Sequence, residues 1–220
     1  MCFSPQADVL VGLTVTGIGV DAVLHARNRS ERAMAAVPLV LGAHLLTEVQ
    51  VWRGLQDGLA PSAWRPALYA YLLVAFVVVP VLVPVAVAGM DPTATRVRSG
   101  AFIAVGVGVA AVLLHAIAVG PVGARIVGHH VAYRTGLLGG GVVVALYVLA
   151  TCGPLLAARD RTIRWYGLAN LIAVGALALI AKTALISLWC AWAAVISVAI
   201  AAHLRAPIVW APRRRVSDGS

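Results

Sequence analysis

Long apolar stretches recur along the chain, and each is long enough for one membrane-spanning helix. A helical span needs about 20 mostly apolar residues. Stretches of this length occur at 7–25, 34–55, 66–89, 100–119, 137–157, 165–182 and 184–204. The connections between them, including GPVGARIVGHHVAYRTG, have the composition of loops. The pattern predicts an all-α integral membrane bundle of seven transmembrane helices, forming a single domain over 1–205.

Composition supports this class. Hydrophobic residues make up 61% of the 220 positions and charged residues 11%, whereas soluble domains contain about 45–50% and about 25% respectively. The net charge of +9 raises the alternative of nucleic-acid binding. The arginines, however, lie in short clusters between apolar stretches, as the positive-inside rule predicts for a membrane protein. We therefore expect a membrane as the partner and no nucleic acid.

The distribution of Lys and Arg predicts the orientation. Twelve of these 17 residues lie in the connections after the first, third and fifth stretches and in the C-terminal segment, against five on the opposite side. Because cytoplasmic connections carry the excess of positive charge, the N-terminus is predicted outside and the C-terminus in the cytoplasm. The chain is then a multi-pass protein of the cell membrane, and 206–220 is a basic cytoplasmic tail.

The N-terminal segment MCFSPQAD places Cys2 directly before the first apolar stretch. A signal peptide begins with a basic region, which this segment lacks, so the first stretch is predicted to remain in the protein. A lipid-modified cysteine follows an apolar stretch, whereas Cys2 precedes one. We expect the segment to fold over the outer face of the bundle and to bring Cys2 close to Cys190 or to the second helix.

Proline and glycine patterns predict local packing. Pro80 and Pro84 each remove a backbone donor from the third helix, which predicts a kink there. Gly136 and Gly140 form a GxxxG pair, which favours close approach of two helices.

The second stretch contains the most informative polar residues. In AHLLTEVQVW, His44 and Glu48 are one helical turn apart on one face, and Trp52 follows one turn later. Ionisable side chains in a membrane cost about 2.5–3.5 kcal/mol on insertion scales and usually face the bundle interior. The spacing indicates an acid–base pair. The alternative is a hydrogen-bonded pair that only holds the second helix against its neighbours.

Further reactive side chains are predicted at the same outer face. They are His115, His129, His130, Tyr133, Lys182, Trp189, Trp192, Cys190 and Cys2, whereas Asp21, Asn170 and His203 lie nearer the cytoplasm. Histidine and carboxylate suit zinc or iron, so His44, Glu48, His115, His129 and His130 are the candidate ligands of a divalent metal. No compact ligand motif such as HExxH is present. We therefore expect no cofactor, with this metal site as the alternative.

Three segments carry a resemblance to a known family. MCFSPQAD, AHLLTEVQVWRGLQ and SLWCAWAAVIS together resemble an uncharacterised bacterial family of seven-helix membrane proteins with an MCFS N-terminus and an SxWCxxAAxxS last helix. The resemblance implies the topology and places Cys2, Glu48 and Cys190 within recurring segments. The family has no established general activity. His44-Leu45 departs from the pattern, in which a glutamine is expected nearby.

The functional hypothesis is an enzyme for a lipid-like or isoprenoid molecule. By size and topology the chain is similar to small membrane-embedded terpene cyclases, which protonate a prenyl chain through embedded carboxylates. The predicted catalytic residues are Glu48, His44, His115, Cys2 and Cys190, and the predicted substrate-binding residues are Trp52, Trp189, Trp192, Tyr133 and Asn170. The reaction we favour is protonation-initiated cyclisation, because aromatic faces stabilise developing cations.

Other functions remain as alternatives. A metal-bound water or Cys2 as nucleophile would suit a lipid hydrolase, with the alternatives for Cys2 being a disulfide with Cys190 or an inert thiol. Intramembrane acids also suit a proton-coupled transporter, although the halves show no repeat. A membrane structural subunit is the third alternative. Oligomerisation of the chain is compatible with each of these functions.

Overall fold

The computed structural model describes residues 4–90, 95–136 and 140–180, and the single positions 192, 196, 199 and 202. Residues 4–90, 95–136 and 140–180 form seven α-helical segments, one π-helical segment and one β-hairpin. The helices are α1 (Pro5–His25), α2 (Arg29–Gln56), α3 (Pro61–Leu73), α4 (Val79–Met90), α5 (Arg96–Val119), α6 (Gly140–Ala157) and α7 (Arg161–Ile180). The π-helical segment is Val74–Val78, and the strands are β1 (Gly123–Val127) and β2 (His130–Arg134).

The described residues form six helices that are long and apolar enough to cross a membrane, not the seven predicted. The π-helical segment joins α3 to α4, so that Pro61–Met90 is one continuous span. The chain is thus a multi-pass membrane protein. The predicted seventh helix, 184–204, lies outside the described residues except at Trp192, Ile196, Ala199 and Ala202, which are helical. Cys2, Lys182, Trp189, Cys190, His203 and the tail 206–220 also lie outside them.

Several helices begin before the apolar stretches that predicted them, because polar side chains cap their first turns. The Asn28 side chain accepts a hydrogen bond from the backbone N–H of Glu31 at 2.9 Å, which starts α2 well before position 34. Asp160 accepts from the N–H groups of Thr162 and Ile163 at 2.7 and 3.1 Å at the start of α7. Such caps satisfy amide groups that a helix end leaves without partners, typically contributing about 1 kcal/mol.

α1 and α2 pack closely as an antiparallel pair. A Cβ atom added to Gly12 would lie 2.8 Å from Leu46 Cδ2, and one added to Gly42 would lie 2.5 Å from the backbone N of Thr16. Small residues at these positions let the two backbones approach where lipid supplies no hydrophobic driving force. The buried side of α1 consists of Asp8, Gly12, Val15, Gly19 and Ala22.

The helical disturbance predicted at the prolines takes the form of a π-helical turn. Pro80 has no N–H and would clash with the carbonyl one turn before it, at residue 76. Residue 76 lies inside the π-helical segment Val74–Val78, whose wider turn accommodates the missing hydrogen bond. The carbonyl of Pro80 approaches α5 at Gly106, where a Cβ atom would meet it.

The connection between α5 and α6 was expected to be a loop, and this expectation is wrong. Residues 123–134 form an antiparallel β-hairpin with Gly123 opposite Arg134 and Val127 opposite His130. Gly128, at the turn, has a φ of 57°, a left-handed conformation that glycine adopts without strain. Val131 is buried and packs with Trp52, Leu68 and other core residues at this end of the bundle. Gly136 contacts Gly120 and Pro121 at the base of the hairpin.

The bundle has two chemically different ends. At the basic end, the described arginines are Arg27, Arg29, Arg32, Arg96, Arg98, Arg159, Arg161 and Arg164. At the hairpin end, where the β-hairpin and the connection from α2 to α3 lie, they are Arg53, Arg65, Arg125 and Arg134.

Candidate functional site

A cluster of polar and aromatic side chains is buried at the hairpin end. α2 supplies His44, Glu48 and Trp52 from three successive turns of one face, α3 supplies Tyr71, and β2 supplies Tyr133. We call these five residues the hairpin-end cluster. Glu48 is 0% exposed and His44 2%, and Trp52 and Tyr71 are equally well buried. A carboxyl group and an imidazole are thus held away from the surface, next to three aromatic rings.

Three rings of this cluster form a stack. The centroids of His44 and Tyr71 are 3.9 Å apart with 19° between the ring planes, and those of Tyr71 and Tyr133 are 4.5 Å apart with 17°. The hydroxyl group of Tyr133 donates a hydrogen bond to Glu48 Oε1 at 2.9 Å. His44 and Glu48 are one turn apart on α2. The stacked rings of Tyr71 and Tyr133, together with the Tyr133 hydrogen bond, link the imidazole of His44 to the carboxyl group of Glu48.

Two buried ring nitrogens of the cluster, His44 Nδ1 and Trp52 Nε1, have no hydrogen-bond partner among the described residues. A buried polar atom without a partner costs about 1–3 kcal/mol. Such atoms are therefore rare unless a water, a ligand or another part of the chain satisfies them.

A second region lies between α2, α4, α6 and α7 in the half of the bundle towards the basic end. It is an apolar cavity with a volume of about 80 Å³. We call it the basic-half cavity. Among the described residues that line it, Thr151, Tyr166 and Asn170 are polar and the others are aliphatic or Met. The described part of this region therefore offers space but few reactive groups.

Comparison with known proteins places the chain in a family. The model of DUF6629, a family of unknown function, matches residues 1–215. The chain belongs to DUF6629. Neither the curated proteins nor the solved structures include a match to it. The DUF6629 match spans all three segments that carried the resemblance to an uncharacterised family, and it assigns no activity, so the function must be argued from the geometry.

Within this DUF6629 chain, His44, Glu48 and Trp52 share a buried face of α2, as their spacing predicted. The hairpin brings Tyr133 to Glu48, whereas other candidates do not join the cluster. His115 is exposed on α5, away from the buried face formed by Leu113, Ala116 and Ile117. The expectation that His115 lies beside Glu48 is therefore not met. Both faces of this span are apolar, so periodicity could not show which one faces the bundle.

The proposed metal ligands are also dispersed. His129 is exposed in the hairpin turn, and His130 is half-buried with Nε2 lacking a partner among the described residues. Within the part of the chain that the structure describes, no three His, Cys, Asp or Glu side chains are grouped to hold a metal ion. Cys2 and Cys190 lie outside that part.

Of the remaining candidates that the structure describes, Asn170 lies in the second region. Asn170 lines the basic-half cavity, and its Nδ2 donates to the sulfur of Cys152 at 3.5 Å. Trp192 is half-buried, on a helical position. Asp21 pairs with His25 at 3.4 Å near the end of α1. Asn170 and the Asp21–His25 pair are separate from the hairpin-end cluster.

Two residues of interest were missed by sequence reasoning. Tyr71 is fully buried at the centre of the ring stack, but its segment ALYAYLL is uniformly apolar and gave no signal. Asp8 is 1% exposed on the face of α1 that packs against α2. Its position four residues before Gly12, in line with the small residues of that face, was the available signal.

Proposed function

We propose that this protein is a membrane-embedded enzyme in which Glu48 exchanges a proton with a lipid-like substrate. The observation that carries the proposal is the Tyr133 hydroxyl donating to Glu48 Oε1 at 2.9 Å within a buried stack of rings. A structural role for a carboxyl group needs no such surroundings, because Asn or Ser would hold two helices together at lower cost.

The bond from Tyr133 orients the carboxyl group. A carboxyl group held in this way has a fixed direction in which to give or take a proton. His44, one turn away, is positioned to exchange protons with the site through Nδ1, which has no partner among the described residues. General acid–base catalysis by a positioned side chain contributes about 10²–10⁴-fold to a rate.

Cyclisation of an isoprenoid, initiated by protonation, is the reaction that this environment suits best. Glu48 would add its proton to one carbon of a terminal alkene, leaving a cation on the other carbon. The π electrons of the next alkene would then form the new C–C bond, and loss of a proton to a base would end the reaction. The faces of Trp52, Tyr71 and Tyr133 would stabilise the cations, with about 2 kcal/mol or more when desolvated.

The substrate would come from the membrane. The excess of arginines at the basic end supports placing that end in the cytoplasm, which puts the hairpin-end cluster in the outer half of the bilayer. A seventh helix formed by 184–204 would then put the C-terminal tail in the cytoplasm as well. Cys2 and Cys190 would be on the outer side, and a hydrolase that uses them remains a prediction.

Deuterium incorporation tests this proposal. The full chain in nanodiscs of neutral phospholipid would be given geranylgeranyl phosphate in D₂O, where the acid proton exchanges with solvent. Mass spectrometry should find a cyclic product with carbon-bound deuterium. Glu48→Gln should reduce its formation at least 100-fold, whereas Glu31→Gln, at the basic end, should not. Equal product from wild type and Glu48→Gln would refute Glu48 as the acid.

Proton-coupled transport is the second candidate, supported by the two buried carboxyl groups Asp8 and Glu48 on the adjacent helices α1 and α2. Intramembrane acids commonly form proton relays. Reconstituted vesicles containing a pH-sensitive dye distinguish the two functions. Proton movement that Glu48→Gln abolishes, with no cyclic product formed by the wild type, would favour the transporter.

A further inference from the structure

We propose that the start of α7 binds the head group of an anionic phospholipid from the leaflet at the basic end. The site is a surface groove of about 270 Å³ between α6 and α7, lined by Leu156, Arg161, Arg164, Trp165 and Leu168. We call it the basic-end groove. It shares no described lining residue with the basic-half cavity. The inference is therefore independent of the proposed reaction.

Two guanidinium groups of the groove are accessible to an anion. Arg161 and Arg164 are both exposed, and neither belongs to an ion pair among the described residues. The neighbouring acid Asp160 is engaged at the end of α7, where its Oδ1 accepts hydrogen bonds from the N–H groups of Thr162 and Ile163 at 2.7 and 3.1 Å. Arginine binds phosphate oxygens through two parallel N–H donors. Two such side chains, one turn apart on α7, therefore suit a phosphate group.

The groove continues from these cations into hydrocarbon along one face of α7. Trp165 is 57% exposed and Leu168 is 37% exposed. At 1.5 Å per residue, they lie about 6 Å and about 10.5 Å further along the helix axis than Arg161. Their spacing of four and seven residues from Arg161 puts all three on one helix face. Charge, aromatic ring and aliphatic chain thus follow one another in the order of head group, interface and acyl chain in a phospholipid leaflet.

The other sides of α7 make the contacts within the bundle. Tyr166 and Asn170, opposite the groove, line the basic-half cavity. The Tyr166 hydroxyl also donates to the carbonyl of Ala199, in the predicted seventh helix, at 3.1 Å. Gly167 packs on α6, since an added Cβ atom would lie 2.7 Å from Leu155 Cβ. Within the described part of the chain, the face that carries the groove is left to the surrounding lipid.

Charge and apolar lining together favour a lipid over other occupants. The tail 206–220 contains three arginines and one aspartate, so its own positive charge disfavours the groove, and a second copy would bring the same basic end. A soluble anion would contact the arginines but would leave Trp165 and Leu168 exposed. The volume is close to the lower end of about 300–1,000 Å³ for ligand pockets, which suits a head group whose chains stay in the bilayer. Basic pockets between membrane helices commonly bind such head groups.

Lipid titration of the purified full chain in detergent tests the inference. Native mass spectrometry would measure binding of dioleoyl phosphatidylglycerol and, separately, of the zwitterionic dioleoyl phosphatidylcholine. The wild type should bind phosphatidylglycerol about tenfold more tightly. Arg161→Gln with Arg164→Gln should remove most of this preference, because both cations that contact the phosphate are lost. Arg29→Gln with Arg32→Gln is the matched control, since these exposed arginines lie on α2 at the same end and the change in net charge is equal.

Two further measurements distinguish the lipid from other anions. Trp165→Ser should weaken phosphatidylglycerol binding several-fold, and an excess of inorganic phosphate should not displace the lipid. Displacement by phosphate, or unchanged binding by Trp165→Ser, would assign the arginines to a soluble anion and overturn the inference. Equal losses in the two double variants would show diffuse attraction to the basic end and would also overturn it. Circular dichroism checks folding, which should be normal because every substituted side chain is exposed.

Discussion

The hairpin-end cluster and the basic-half cavity lie on the same bundle but differ in what they contain. The cluster has the acid Glu48, the imidazole of His44 and three aromatic rings packed at stacking distance. The described lining of the cavity is mostly apolar, and its polar side chains donate to partners within the protein. Both regions use α2, so one helix carries polar and aromatic groups in one half and lines an apolar cavity in the other. The difference shows that position along the membrane normal separates the ionisable groups of α2 from its apolar cavity wall.

The largest effect should come from the carboxyl group. Glu48→Gln keeps the size of the side chain but cannot supply the proton, so the rate of cyclic product formation should fall by about 10²–10⁴. The stability should change little, because the amide can still accept the bond from Tyr133. Product analysis and thermal unfolding of the same sample check both statements, and a large loss of stability would contradict the catalytic interpretation.

Removing a buried leucine should distinguish the packing of the two regions. Leu68 is fully buried beside the cluster, and Leu82 lines the cavity. Leu→Ala changes cost about 2–5 kcal/mol in soluble cores, and the cost depends on how much new empty space is created. The loss in free energy of unfolding should therefore be near the upper value for Leu68→Ala and near the lower value for Leu82→Ala.

Unfolding of both leucine variants in mixed micelles gives this difference in free energy. Equal losses would mean that the cavity is as closely packed as the cluster, and the comparison between the regions would then fail.

Tyr133→Phe tests how the hairpin acts on Glu48. It removes only the hydroxyl group that donates to Oε1 and leaves the ring stack intact. Hydrogen bonds to carboxyl groups contribute about 1.5–3 kcal/mol, so kcat should fall about 10–100-fold with little change in KM. Tyr69→Phe, an exposed position on α3, serves as the control. A change in KM alone would assign Tyr133 to substrate binding, as the sequence first predicted.

The smallest effect should come from the hairpin turn. Gly128 has a φ of 57° and an added Cβ would meet nothing within 4 Å, so Gly128→Ala introduces backbone strain without a clash. A residue with a side chain loses about 1–2 kcal/mol of stability when its backbone adopts the left-handed conformation. Gly123→Ala is the control, because Gly123 also has open space but no positive φ. Hydrogen exchange at β1 and β2 should increase only in Gly128→Ala.

Helical periodicity located part of the cluster from the sequence. His44, Glu48 and Trp52 share a face whatever their surroundings, because their spacing alone determines it. Periodicity could not place His115, since a lipid-facing surface is as apolar as a buried one. The hairpin was missed because the strands GARIV and HVAYR are short and were interpreted as part of a polar connection.

The sequence by itself determined that this chain crosses a membrane several times and that α2 carries an acid and an imidazole one turn apart. Those properties depend on residue composition and on local helix geometry. Only the tertiary structure decided that Tyr71 and Tyr133 complete the cluster, that Asp8 is buried and that His115 is not. These outcomes depend on the rotation of each helix about its axis relative to its neighbours. Lipid is as apolar as the side chains that face it, so the residue pattern along one helix does not specify this rotation.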